Sequence, residues 1–192
     1  GVYADALKSD GDSMVTEFIY WSDYYDSIVS PFYSYNSGKT SETRRNSIIY
    51  CKDIDGDKTV EIPTDKSVKK LPAQITAQNW VVYENTVLLH KCYTYSCKRD
   101  AYSLLINDDI FDKVIAKYDN ESRTFSLISN ESKNECFSII TMIRSAYNSR
   151  EADFRGYAEI YSNSGFVYLA KVNDKSDIKF TICLLYTSDA AD

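Results

Sequence analysis

Short runs of apolar residues, broken at close intervals by turn-forming residues, predict a chain built mainly from strands. Residues 2–7 and 15–21 flank the turn Ser9-Asp10-Gly11-Asp12. Residues 24–35 lead into a polar stretch, 34–47, which offers almost nothing to bury and reads as an exposed loop. Runs at 47–51 and 60–62 bracket an acidic turn, and residues 63–78, of mixed charge and interrupted by Pro63 and Pro72, read as a connector. The runs 80–83 and 86–95 pair as a hairpin across Glu84-Asn85. Beyond Cys97, strands are expected at 102–106, 113–118, 124–128 and 136–143, with Ile110-Phe111 forming a short helical turn after the first. Residues 144–155 have a helix-compatible composition, and 157–161 and 166–172 form a hairpin around Asn163-Ser164-Gly165. The fold class expected is mainly β, or α+β, as antiparallel sheet with one or two helices.

Composition sharpens this picture. Tyrosine occurs 17 times and glycine only 6 times, and Val, Ile, Phe and Tyr dominate the apolar runs, the usage of half-buried pleated strands. The 192 residues suffice for one large or two small domains. A formal net charge of −6, with Lys and Arg scattered among acids, argues against a nucleic-acid partner, since phosphate binding needs clustered cations. No apolar run is long enough to span a bilayer.

The ends carry expectations of their own. Gly1 stands first and no signal peptide is visible, so the natural start is expected upstream. Residues 183–192 match one translated frame of a transposon-end sequencing adapter and read as a non-native tail, with a C-terminal element expected to be lost near Ile182. Setting the tail aside leaves Cys51, Cys92, Cys97 and Cys136.

The clearest chemical motif is Asp53-Ile54-Asp55-Gly56-Asp57-Lys58-Thr59-Val60-Glu61. Carboxylates at positions 1, 3, 5 and 9 of a tight loop, with the Thr59 carbonyl at position 7, supply the oxygen ligands that a hard cation takes, and calcium is the natural ion. The candidate metal ligands are thus Asp53, Asp55, Asp57, Thr59 and Glu61. Lys58 stands where the helix–loop–helix version carries glycine, and the expected flanks are strands, which favours an inter-strand loop. The other reading is a solvated acidic turn fixed by Asx hydrogen bonds. Asp10-Gly11-Asp12 lacks a third spaced carboxylate and reads as a plain turn.

The run from Tyr50 through Asp53-Ile54-Asp55-Gly56-Asp57 to Glu61-Ile62-Pro63 resembles the DxDGDGxxEIP signature of uncharacterised clostridial-type lipoproteins. Met14-Val15-Thr16-Glu17 before it, and the Trp80 and Tyr102 segments after it, fall in the order that family shows. The resemblance implies FG-GAP/VCBS-like β-propeller blades over residues 1–97, incomplete at the start, and a small α+β domain over 98–182. It also implies an exported, Gram-positive protein held at the cell surface by an N-terminal lipid anchor. Members carry an FPxxW motif after the Tyr102 strand, whereas this chain has Asn107-Asp108-Asp109-Ile110-Phe111.

Catalytic chemistry is poorly provided for. His90 is the single histidine, it lies in an apolar run, and neither a Gly-x-Ser-x-Gly elbow nor a phosphate-cradling glycine loop accompanies it. A zinc site from His90, Cys92 and Cys97 lacks the paired Cys-x-x-Cys spacing. In an exported protein Cys92 and Cys97 could close a disulfide loop, while Cys51 and Cys136 read equally well as buried thiols. Tyr93 with Tyr95, or Tyr157 with Tyr161, would share a strand face and either stack on a ligand or pack the sheet. Tyr24-Tyr25 and Phe32-Tyr33-Ser34-Tyr35 are the preferred candidates for an exposed aromatic patch. The expected function is a non-catalytic interaction or scaffold module outside the cell, calcium-stabilised, with a protein or carbohydrate partner. The alternative is a ligand-binding or accessory domain of an exported enzyme.

Overall fold

The structure, a computed structural model, describes residues 2–7, 14–29, 43–45, 49–84, 87–180 and 185–187; for 2–7, 17–21, 28–29 and 185–187 only the backbone is described. The Ser9–Asp12 turn and Phe32–Tyr35 lie outside the described residues. The architecture is mainly β, in antiparallel sheets. Two compact units are formed, residues 1–67 with 77–94 and residues 68–76 with 95–192.

In the first unit, β1 (Val2–Leu7), β2 (Met14–Ser22) and β3 (Ser27–Val29) form an antiparallel sheet in that order, with Val2 opposite Ile19 and Tyr20 opposite Val29. Residues 43–45 return to this sheet. Met14 and Arg45 exchange backbone hydrogen bonds of 2.8 and 3.0 Å, and Thr43 Oγ1 donates to the Thr16 carbonyl at 2.7 Å. Arg45 is buried, its Nε donating to the Ile49 carbonyl at 2.6 Å and its Nη1 to Thr16 Oγ1 at 2.9 Å. The polar stretch expected to be an exposed loop therefore buries Thr43 and Arg45, because backbone carbonyls and a hydroxyl satisfy the groups that exposure would otherwise hydrate.

β4 (Ile62–Asp65), β5 (Ile75–Glu84) and β6 (Val87–Cys97) continue in a five-stranded sheet of order β13-β7-β6-β5-β4. β7 spans Tyr102–Ile106 and β13 spans Leu185–Thr187; Leu185 of the tail pairs with Leu104. The expected connector at 63–78 is corrected at both ends: Ile62–Asp65 is a strand and β5 begins at Ile75. Pro63 sits on the edge strand opposite Trp80, where its missing N–H costs no ladder bond. The strand expected at 47–51 is also corrected over its described residues: Ile49, Tyr50 and Cys51 are irregular, and Lys52 meets Glu61 in a single bridge just ahead of β4. Ile62 and Val81 are buried, with Cys51, Tyr83 and Leu88 packed against them.

The second unit follows its sequence pattern closely. Alternation along β7 turns Tyr102, Leu104 and Ile106 inward. After α1 (Asp108–Phe111), β8 (Val114–Asp119), β9 (Thr124–Ser129) and β10 (Glu135–Ile143) form a meander. α2 (Arg144–Asn148) and a 3₁₀ turn (Glu151–Phe154) lead to β11 (Ala158–Ser162) and β12 (Phe166–Val172), and the sheet order is β11-β12-β10-β9-β8. The helix expected over 144–155 is broken in two because neither piece buries a residue, so no apolar stripe rewards continuing it. Leu127, Ile139 and Leu169 are at most 1 % exposed, each worth roughly 1.5–3 kcal/mol of burial. Tyr95 stacks on Phe111 with ring centroids 5.1 Å apart. With little glycine to spend, the chain places Asp26, Lys58, Lys70, Ala101, Arg123 and Lys133 at positive φ.

Candidate metal centre

The loop between Lys52 and Glu61 is folded by its own carboxylates. Lys52 and Glu61 exchange backbone hydrogen bonds of 3.2 and 3.0 Å and close its neck. Inside it, Asp53 Oδ1 accepts the Gly56 N–H at 2.7 Å and Oδ2 accepts the Lys58 N–H at 2.8 Å. Asp55 Oδ1 accepts the Asp57 N–H at 3.2 Å, and Asp57 Oδ1 accepts the Thr59 N–H at 2.7 Å. These Asx bonds let the backbone turn through Gly56 at φ 82° and Lys58 at φ 73°. Ile54, near the start of the loop, is buried and pins that end to the protein.

Glu61 is the unusual member. Its residue is fully buried; Oε2 accepts the Ile54 N–H at 2.9 Å, and Oε1 is buried with no hydrogen-bond partner. Burial pushes its carboxyl above the usual range, the Ile54 N–H opposes that, and the negative charges of Asp55, Asp57 and Asp53 add to it. One carboxylate oxygen from each of Asp53, Asp55 and Glu61 lies within 4.8 Å of the other two, and these three form the one such acidic group among the described residues. Asp57 turns away toward β6. Its Oδ2 lies 2.5 Å from Lys91 Nζ, which also stands 3.5 Å from Asp55 Oδ2. The hydrogen bond from Lys91, helped by the Thr59 N–H, holds the Asp57 carboxyl down at about 2, and Asp57 in turn raises the Lys91 ammonium. Thr59 is exposed and takes part through its N–H.

Asp53, Asp55 and Glu61 could hold a hard divalent cation: they are three converging carboxylates, one with a buried oxygen that lacks any partner, in a cluster whose like charges raise the energy of the ionised state. Of the five ligands expected, the structure thus gathers Asp53, Asp55 and Glu61 and gives Asp57 to Lys91. Lys91 was invisible to sequence reasoning because 34 positions separate it from Asp57.

The other candidates separate. Among the described residues, His90, Cys92 and Cys97 form no group tight enough for one ion. His90 packs on Tyr93 at 4.3 Å and shares a short hydrogen bond with Asn79. Cys97 and Cys136 are free thiols, and burial pushes Cys97 up to about 11. Tyr95 is core, and Tyr93 lies under the Lys66 ammonium at 4.6 Å. Tyr157 lies under Lys171 at 5.4 Å, and Tyr161, 38 % exposed, packs on Tyr168. Tyr24 and Tyr25 are exposed, 87 % and 67 %, in an edge-to-face pair on the β2–β3 turn. No protein-family model, no curated protein and no solved structure matches this chain.

Proposed function

We propose that this chain is a non-catalytic interaction module working outside the cell, with calcium locking the loop from Asp53 to Glu61. The observation that carries the reading is the Glu61 carboxylate, fully buried with Oε1 unpartnered beside Asp53 and Asp55. A buried ionised oxygen without a donor is costly, and a divalent cation repays that cost directly. Asp53, Asp55 and Glu61 would hold the ion, with Asp57 and the Thr59 carbonyl completing the shell once the loop closes on it. Bound calcium would supply a rigid electrostatic centre that fixes the turn ahead of β4.

The extracytoplasmic setting rests on the lipoprotein resemblance, and calcium is abundant outside cells. Successive antiparallel strands such as β1–β3 are the material from which propeller blades are built, and with the lipoprotein resemblance they support a blade-like reading of the N-terminal strands. The exposed Tyr24-Tyr25 pair offers a protein or carbohydrate partner two stacking faces. Titrating calcium while following thermal unfolding tests the ion: at a hundredfold excess over Kd the native state gains about 2.7 kcal/mol. In a chain of this size that raises the midpoint by roughly 5–10 °C. An unchanged midpoint at millimolar calcium would remove the proposal.

A further inference from the structure

We infer that Lys91 is the resident counter-ion of the acidic loop, and that a divalent cation binds by displacing its ammonium into solvent. The inference rests on the calcium reading above and adds what regulates the site.

Lys91 lies on β6, and its Nζ bridges Asp57 Oδ2 at 2.5 Å and Asp55 Oδ2 at 3.5 Å. Asp55 is shared: it belongs to the converging group with Asp53 and Glu61, and it faces Lys91. Its Oδ1 already accepts the Asp57 N–H, as Asp57 Oδ1 accepts that of Thr59. The oxygens these two aspartates have left for a metal are therefore the two that Lys91 now occupies. A divalent ion seated on Asp53, Asp55 and Glu61 would stand within a few ångströms of that ammonium, and two cations at that range repel strongly. The same carboxylates cannot serve both.

The ion-free and ion-bound forms then differ in a defined way. Without the ion, Lys91 ties the loop to β6 and offsets part of the aspartates' mutual repulsion. With it, the loop's outer carboxylates turn inward and Lys91, one-third exposed in this structure, becomes a free surface cation. Calcium concentration thereby sets both the rigidity of the loop and the charge presented beside it on β6.

The test compares calcium binding by the intact chain and by Lys91→Gln, using isothermal titration with calcium chloride alone. Loss of the competing ammonium should tighten binding about tenfold. Equal or weaker binding by Lys91→Gln would overturn the inference while leaving the calcium site standing. Absence of binding in both proteins removes the site and the inference together, and binding by the variant alone supports both. A second measurement needs no variant: acylation of Lys91 by an amine-reactive reagent, mapped by peptide mass spectrometry, should rise several-fold in saturating calcium. Unchanged labelling of Lys91 in a protein shown to bind calcium would count against displacement.

Discussion

Asp100 has no exposed side-chain surface, yet it carries a charge in the second unit. Its Oδ2 accepts the Tyr118 hydroxyl at 2.6 Å and the Cys97 thiol at 3.4 Å; its Oδ1 accepts Arg123 Nε at 2.8 Å and a second, short bond from Arg123 Nη2. Its backbone carbonyl accepts the Tyr168 hydroxyl at 3.0 Å. One residue therefore joins the β6–β7 turn to β8, to the β8–β9 turn and to β12. Substituting Asp100→Asn preserves shape but removes the charge and turns an amide donor toward groups that are themselves donors. A fully buried pair broken on one side costs about 3–5 kcal/mol. Because Arg123 keeps 22 % of its side-chain surface in water, the lower end applies, about 3 kcal/mol. Urea unfolding followed by far-ultraviolet circular dichroism should show that loss, with a fall of roughly 6–12 °C in Tm. Arg123→Met alone should also destabilise, and the double variant should lose about 2 kcal/mol less than the two losses added. A change under about 0.5 kcal/mol for Asp100→Asn, or additive losses in the cycle, would refute a charged hub at this position.

Three further outcomes are expected. Glu61→Gln should abolish the rise in Tm that calcium gives the parent chain, read by the same thermal scan, because the buried oxygen loses its charge. Lys58→Gly should stabilise the protein by about 1 kcal/mol in ion-free buffer, measured by chemical unfolding, since a left-handed φ of 73° strains lysine and not glycine. Asp177 accepts the Ser129 and Ser132 hydroxyls at 2.7 Å each, which hold its carboxyl below the ordinary 3.8. Its contribution is therefore complete above the unfolded value and is lost as pH falls from about 4 through the lowered folded one. Asp177→Asn should flatten that part of an acid-unfolding curve, and an unaltered curve would exclude the bonds as a source of acid sensitivity.

Local chemistry made much of the second unit readable from sequence. The hairpin of β11 and β12 is set by Asn163, whose Oδ1 accepts the N–H groups of Gly165 and Phe166, a turn that needs nothing distant. The alternation in β7 and the long apolar runs of β10 and β12 reflect burial on one face or both, which sequence records directly. What escaped were contacts between remote positions. Arg45 is buried only because Thr16 and Ile49 present acceptors to it. Pro63 interrupts the sequence pattern without interrupting the sheet, because edge or interior placement is decided by the neighbours of a strand and not by its composition. In the acidic loop the spacing of Asp53, Asp55 and Glu61 was legible, whereas the lysine that neutralises Asp57 arrives on a different strand.

The placement of Pro63 bears on how the molecule avoids unwanted association. β4 closes one side of its sheet, and at its second residue Pro63, itself buried, sets a ring nitrogen with no hydrogen to share. Filament growth by successive addition of chains needs an uninterrupted row of donors and acceptors, so this margin is a poor seed for it.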